Sequence, residues 1–557
     1  MTMQVRLSGL ACCGEMGDVV SPGSSGLPGT AGWVQVGSLN SLASPFPFVL
    51  MPTSNSLERF LTSFHHFSCE QIKNMSFLLT FFFFSFTLHA FPATTMAAAA
   101  ATSGDTQVLT LKKLKWPTQE QTNTTICFPQ RSRTEKNANI LELRHRDYCS
   151  KHKSDWNQKQ QKHILLSDQI RVHSLQSRIK TALSNGVDQE LSQAEIPLNS
   201  GTKLQTLNYI VTVTLGGRNR TLIVDTGSDV TWVQCEPCGS CYNQQEPLFN
   251  PSQSPSYKQV LCKSTTCQNL SDATGNSGIC GVNSTTCNYY VSYGDGSYTR
   301  GDLAADSLLL GTTLVKDFVF GCGRFNDGLF GGVSGLMGLG RSALSMVSQT
   351  YDVFGGIFSY CLPSVTEQVS GSLILGDEAS VYKNFSPISY TNLISNPMMP
   401  TFYFVNLTGI SIGGVSLQDP SFGHKEMLID SGTVITRLSP SFYNAVKTEF
   451  LQQFSGFPKA PSFSILDTCF NLSTYDEVII PTFELHFDLD AKLTIDVSGI
   501  LYFAKSDASQ VCLAMSSLSD EQEIGIIGNY QQKNTRVVYN TKASTLGFAE
   551  ETCSYSD

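Results

Sequence analysis

The sequence predicts an all-β protein made of two related lobes. Three observations lead there. The body of the chain breaks into short apolar runs, YIVTVTLGG (209–217), LIVDTG (222–227), DFVFGCG (317–323) and FYFVNLTGISIGG (402–414), ended by Gly or Asn turns. The stretch TLIVDTGSDVTWVQC, Thr221 to Cys235, returns 205 residues later as EMLIDSGTVITRL, Glu426 to Leu438. The composition holds 44 Gly and 34 Phe with only 15% charged residues, which favours many short strands over long helices.

At 557 residues the chain suits two lobes plus additional segments, and 41% hydrophobic content is ample for sizeable cores. Residues 1–74 are Gly/Ser/Pro-rich without a sustained period and read as a leader preceding a start at Met75. Residues 75–101 begin with a dense apolar run, SFLLTFFFFSFTLHA, preceded by Lys73 and followed by small residues near Pro92 and Ala93. That order of charge, apolar core and small residues predicts a signal peptide. The alternative is a signal anchor running to Ala101, which would place the protein at a membrane.

Residues 102–195 are basic. From Asp105 to Lys180 there are 15 Lys/Arg against 7 Asp/Glu, whereas from Thr181 onward there are 19 against 35, within a net charge of −9. A basic leader ahead of an acidic body predicts that the two attract each other and argues against a nucleic-acid partner. The leader therefore reads as a propeptide, with a Lys or Arg, not identified by the sequence, facing the acidic centre of the body. A helix is expected around 165–184, with Leu166, Ile170, His173/Ser174 and Ile179 along one face. The lobes are expected at 196–389 and 390–557.

Each lobe carries the same pair of features. Asp225 is followed 113 residues on by Gly338 in GLMGLG, and Asp430 is followed 98 residues on by Gly528 in IGIIGN. A carboxylate inside an apolar run is costly to ionise unless something pairs with it. Gly227 and Gly432 permit close backbone approach or a left-handed conformation. The flanking hydroxyls of Thr226, Ser228, Ser431 and Thr433 can bond carboxylate oxygens and fix their orientation. Two carboxylates about 3 Å apart cannot both ionise and share one proton. Such a pair can hold a water, the ionised member taking its proton while the protonated member polarises a carbonyl.

Of 17 cysteines, twelve lie in the body: Cys235, Cys238, Cys241, Cys262, Cys267, Cys280, Cys287, Cys322, Cys361, Cys469, Cys512 and Cys553. An even dozen, with sequons at Asn269, Asn283, Asn384, Asn406 and Asn471, predicts disulfides made in the secretory pathway. The spacing of Cys235, Cys238 and Cys241 invites a metal reading, but Gln245 stands where a ferredoxin-like run needs a fourth cysteine. The histidines show no HExxH spacing, and GLFGGVSGLMGLG lacks the ending of a phosphate loop. No metal and no cofactor are expected.

At these residues the body, from about Tyr209 to Cys553, resembles the pepsin-like aspartic peptidases, specifically the plant nepenthesin-like branch. The resemblance is carried by DTGSDVTWVQCEPCGSCYNQQEPLFNPSQSPSY, YGDGSYTRGDLAADSL, FGCGRFNDGLFGGVSGLMGLGR, FSYCLP, IDSGTVITRL and IIGNYQQKNTRVVYN. The leader's LELRHRDYCS (141–150) is similar to the same branch. The sharing of one proton by paired aspartates is this family's established behaviour.

The resemblance implies a bilobal pepsin-like acid protease fold, two related β lobes with a cleft between them, with Asp225 and Asp430 as the catalytic pair and Thr226 and Ser431 bracing their loops. It implies that Tyr293 rides on a flap hairpin with Trp232 as its hydrogen-bonding partner. It further implies a cysteine-rich insertion at 235–287, six disulfides with Cys469–Cys512 among them, and other pairings left open. The expected protein is a zymogen of an acid-active endopeptidase. It is monomeric, its partners are protein or peptide substrates and its own propeptide, and bonds between bulky apolar side chains are the expected targets. Secretion to the wall or vacuole is expected, with plastid or membrane-anchored delivery as alternatives. A catalytically inactive relative that binds and inhibits another enzyme is the other functional reading.

Overall fold

The computed structural model describes residues 105–114, 129–146, 158–184 and 209–555, except 282–284, 294–295, 329, 365–368, 378–385, 398 and 418–424. The expected leader 1–74, the signal segment 75–101, Asn283 and Asn384 lie outside the described residues. Those described belong to one compact unit, Ala97–Asp557.

The fold is mostly β, as expected. Antiparallel Tyr209–Leu215 and Arg218–Asp225 open the first lobe. Val211, Val213, Leu222 and Val224 enter one core, while Ile210 and Ile223, at intervening positions, enter another. Burial on both faces explains why this segment reads as a continuous apolar run. Gly335–Gly338 then lies parallel to Arg218–Asp225, with Gly338 opposite Asp225. The second lobe repeats the device: Gly525–Gly528 lies parallel to Lys425–Asp430, with Gly528 opposite Asp430. The two glycine strands noted in the sequence are thus the neighbours that hold each aspartate at a strand end.

Beneath the lobes, Ile357–Cys361, Gly371–Leu375, Thr535–Asn540 and Thr545–Glu550 form a platform, joined at its edge by Ser389–Asn392. The chain's last strands therefore return to the 357–375 region, and the expected cut at 389/390 falls at the start of a platform strand. The basic leader contributes to this sheet as well. Its strand Ala138–His145 lies between Gly371–Leu375 and Tyr209–Leu215, and its Thr106–Thr110 extends a second-lobe edge beside Glu477–Pro481.

The twelve body cysteines form Cys235–Cys322, Cys238–Cys241, Cys262–Cys280, Cys267–Cys287, Cys361–Cys553 and Cys469–Cys512. The C-x2-C-x2-C run is divided between two of these bridges. Cys235 reaches outside the 235–287 insertion, to the strand Thr313–Asp327. Asn406 is buried in the strand Phe404–Ile412 and donates its amide to Asp488 Oδ1 at 2.9 Å, so this sequon offers no acceptor in the folded chain.

Candidate active site

Asp225 and Asp430 sit at mirrored strand-end turns and are 1% and 0% exposed. Asp225 Oδ1 accepts the Gly227 N–H at 3.1 Å and Oδ2 accepts the Ser228 hydroxyl at 2.6 Å. Asp430 repeats this: Oδ1 accepts the Gly432 N–H at 2.9 Å and Oδ2 the Thr433 hydroxyl at 2.6 Å. The two loops then lock each other. Thr226 N–H donates to Ser431 Oγ at 3.0 Å, and Ser431 N–H donates to Thr226 Oγ1 at 2.9 Å. Asn529, after the second glycine strand, donates its amide to the Ser431 carbonyl at 2.9 Å.

Crowding rather than backbone conformation explains the turn glycines. A Cβ at Gly227 would stand 2.6 Å from Asp430 Oδ1, and one at Gly432 would collide with Asp225 Oδ1. Neither glycine has a left-handed φ. Each loop leaves room for the opposite carboxylate.

Burial pushes the Asp225 carboxyl above its ordinary value, the Arg171 charge opposes this, and the Asp430 carboxylate adds to it.

Trp232, fully buried, donates its indole N–H to Tyr293 Oη at 2.7 Å. Tyr293 opens the turn between Asn288–Ser292 and Tyr298–Leu310, where its N–H donates to the Ser297 carbonyl at 2.8 Å. Phe330 lies edge-on to both rings, 4.8 Å from Trp232 and 5.9 Å from Tyr293. Burial raises the Tyr293 hydroxyl well above its usual range, and the nearby Asp225 charge adds to this.

The leader supplies a cation to this centre. Arg171, on the helix Gln158–Ser184, directs Nη2 to Asp225 Oδ1 at 3.0 Å and to Asp430 Oδ2 at 2.9 Å, while its Nε reaches Asp430 Oδ2 at 3.1 Å. One turn earlier, Asp168 accepts the Val434 and Ile435 N–H groups at 2.6 and 3.1 Å. The same carboxylate pairs with Arg437 at 2.8 Å, both side chains being fully buried. Gln176 exchanges hydrogen bonds with the backbone of Ile524, at 2.7 and 3.1 Å. Beside Arg171, Gly227, Ser228 and Tyr293 a cavity of about 30 Å³ remains, enough for about one water.

The helix exists as expected, but its buried face differs from the one read in the sequence. Ile164, Leu165, Val172, Leu175 and Ile179 are buried, with Gln161, Asp168 and Gln176 among them, whereas Leu166 is 48% exposed and His173 is exposed. The helix lies against polar turns, so its contact face mixes polar and apolar residues and the apolar period alone misplaces it.

Asp229 is a further buried carboxylate beside this centre, outside the repeated turn motif. It is 3% exposed, accepts the Ser342 N–H at 2.7 Å, and is pushed up to about 7 by burial. Its sequence signal is a second carboxylate in the run that holds Asp225. Among the described residues no group of His, Cys, Asp and Glu is arranged to hold a metal.

Residues 209–377 match the family described as xylanase inhibitor N-terminal, and 402–550 the one described as xylanase inhibitor C-terminal. An aspartyl protease family protein of Arabidopsis thaliana is 44% identical, across 70% of this chain and 82% of the relative. Aspartic proteinase nepenthesin-1 of Nepenthes gracilis is 35% identical, across 68% and 86%. The crystal structure of basic 7S globulin from soybean is similar in fold, with a TM-score of 0.50 at 21% identity, across 63% of this chain and 95% of that one. Mirrored aspartate turns, paired glycine strands and these relatives converge: the chain belongs to the pepsin-like family of aspartic endopeptidases, among the plant nepenthesin-like members.

Proposed function

We propose that the protein is the zymogen of an acid-active aspartic endopeptidase, with Asp225 and Asp430 as its catalytic pair. The observation that carries this reading is that one guanidinium nitrogen reaches both carboxylates, each held by the same two bonds from its own turn.

In the active form a peptide replaces the leader helix and a water replaces the guanidinium. The ionised member of the pair takes a proton from the water, whose oxygen attacks the scissile carbonyl carbon. The protonated member donates to the carbonyl oxygen, giving a neutral gem-diol. Its collapse breaks the C–N bond as a proton passes to the leaving amine. Tyr293, held by Trp232, closes over the substrate and excludes water. Thr226 and Ser431 keep the two turns in register.

The leader holds this site shut at neutral pH. Arg171 and Asp168 are its polar anchors, and acid weakens the Arg171 contact as the Asp225 carboxylate, raised by burial, takes up a proton. Substrates are proteins or peptides. The six disulfides of the body and the family support synthesis in an oxidising compartment, and secretion or vacuolar delivery is the proposed destination. The test is proteolysis of a denatured protein by the chain expressed from Met75 and then acidified, with and without pepstatin. Pepstatin-sensitive cleavage is expected in acid.

The family descriptions favour a second reading, an inactive protein that binds another enzyme. Intact pairing of both carboxylates weighs against it. A folded protein freed of the helix Gln158–Ser184 and without activity from pH 2 to 7 would establish it instead.

A further inference from the structure

The leader has two parts that meet the body through different chemistry. The helix Gln158–Ser184 is anchored by ionisable groups, Arg171 on Asp225 and Asp430 and Asp168 on Arg437. The segment before it is built into the sheets. Ala138–His145 has five residues paired with Gly371–Leu375 on one edge, and its last two paired with Tyr209–Leu215 on the other. Ala138, Ile140, Leu141 and Leu143 are at most 1% exposed, and Leu141 and Leu143 belong to the main core.

Thr106–Thr110 adds a full antiparallel register to Glu477–Pro481 and sends Leu109 into the same core. Arg131 and Arg133 lie over the buried Tyr555 ring, at 4.8 and 4.7 Å. The body leaves space for this segment: a Cβ at Gly376 would stand 2.6 Å from the Asn137 carbonyl oxygen.

We infer that residues 105–146 remain in the mature protein as a tightly bound second chain, and that acid removes only the helical plug. This rests on the reading of the helix as a removable inhibitor. Loss of the strand would open two sheet edges and expose core side chains, which backbone pairing and apolar burial resist at any pH. The charges within the segment also outlast mild acid. Burial pushes the Glu142 carboxyl up, but the Arg131 N–H and the Arg144 and Arg131 charges outweigh this and hold it below its ordinary value. Its contribution is therefore complete above the ordinary Glu value and fades only below it.

The experiment uses the full chain with specific protease sites placed in 147–157 and 185–208. It is cut at neutral pH, moved to pH 5 and separated by native size exclusion with intact-mass detection. One copy of the 105–146 fragment is expected to co-elute with 209–557 while the helical peptide separates. Recovery of 105–146 as free peptide overturns the inference, whether the heavy chain stays soluble or aggregates. Peptide cleavage by the same fractions is scored separately. A retained fragment on an inactive protein leaves this inference standing and counts against the peptidase reading.

Discussion

Replacing Arg171 with alanine removes a leader charge that touches both Asp225 and Asp430. The guanidinium is 16% exposed and its partners are 1% and 0% exposed, so the contact is desolvated. Breaking a buried ion pair by deleting one partner costs about 3–5 kcal/mol. Discounting for the residual solvent exposure of the guanidinium leaves about 2–3 kcal/mol at neutral pH. The helix-seated state is then disfavoured by roughly 30- to 150-fold.

The assay is the initial rate of fluorogenic peptide cleavage by uncut precursor, followed from pH 7.5 to 3. The Arg171→Ala midpoint is expected to lie about 1.5–2 pH units above wild type. Arg171→Lys is expected between the two, since lysine keeps the charge but loses the planar fork. An Arg171→Ala precursor that activates at the wild-type pH and rate would refute the assignment of Arg171 as the electrostatic latch.

Other outcomes follow from the same geometry. Asp229 has a folded value raised from 3.8 to about 7, so its contribution to stability is complete below the lower value and lost as pH rises to the upper one. The stability advantage of wild type over Asp229→Asn in urea unfolding should therefore fall by up to ~4 kcal/mol from pH 4 to 7.5. Ser431→Ala leaves the buried Thr226 N–H without its acceptor and should cost about 1–3 kcal/mol, read as a lower urea midpoint at unchanged slope. Tyr293→Phe removes the hydroxyl that accepts from Trp232. It should lower kcat/KM about 2- to 12-fold without moving the pH profile, the equivalent of one hydrogen bond.

The parts of this structure that the sequence made legible are local ones. An aspartate, a glycine and two hydroxyls within four residues define a turn and its bonds, and the repeat at Asp430 made the pairing readable. Gly338 and Gly528 were visible because close packing beside each aspartate strand leaves no room for a side chain, as the contacts with Asp229 and Val434 backbone confirm.

The sequence specifies Arg171 only as some basic residue between 105 and 195. Its choice depends on how the helix rolls in the cleft, and that roll is set by Asp168 meeting Arg437 and two N–H groups far along the chain. The apolar period, which favoured Leu166, carries no information about a polar partner surface. The strand Ala138–His145 was hidden for a related reason. Its burial pattern is continuous, and its partners, Gly371–Leu375 and Tyr209–Leu215, are set by long-range topology rather than by its own residues.

Asp225→Asn and Asp430→Asn, each prepared as folded, leader-cleaved protein and compared with wild type in acid, test the central claim most directly. Each asparagine keeps the shape of the turn but cannot accept the water's proton or share one with its partner. Both variants should lose about 10²–10⁴-fold or more in kcat while retaining wild-type unfolding midpoints. Wild-type turnover in either folded variant would contradict catalysis by this carboxylate pair.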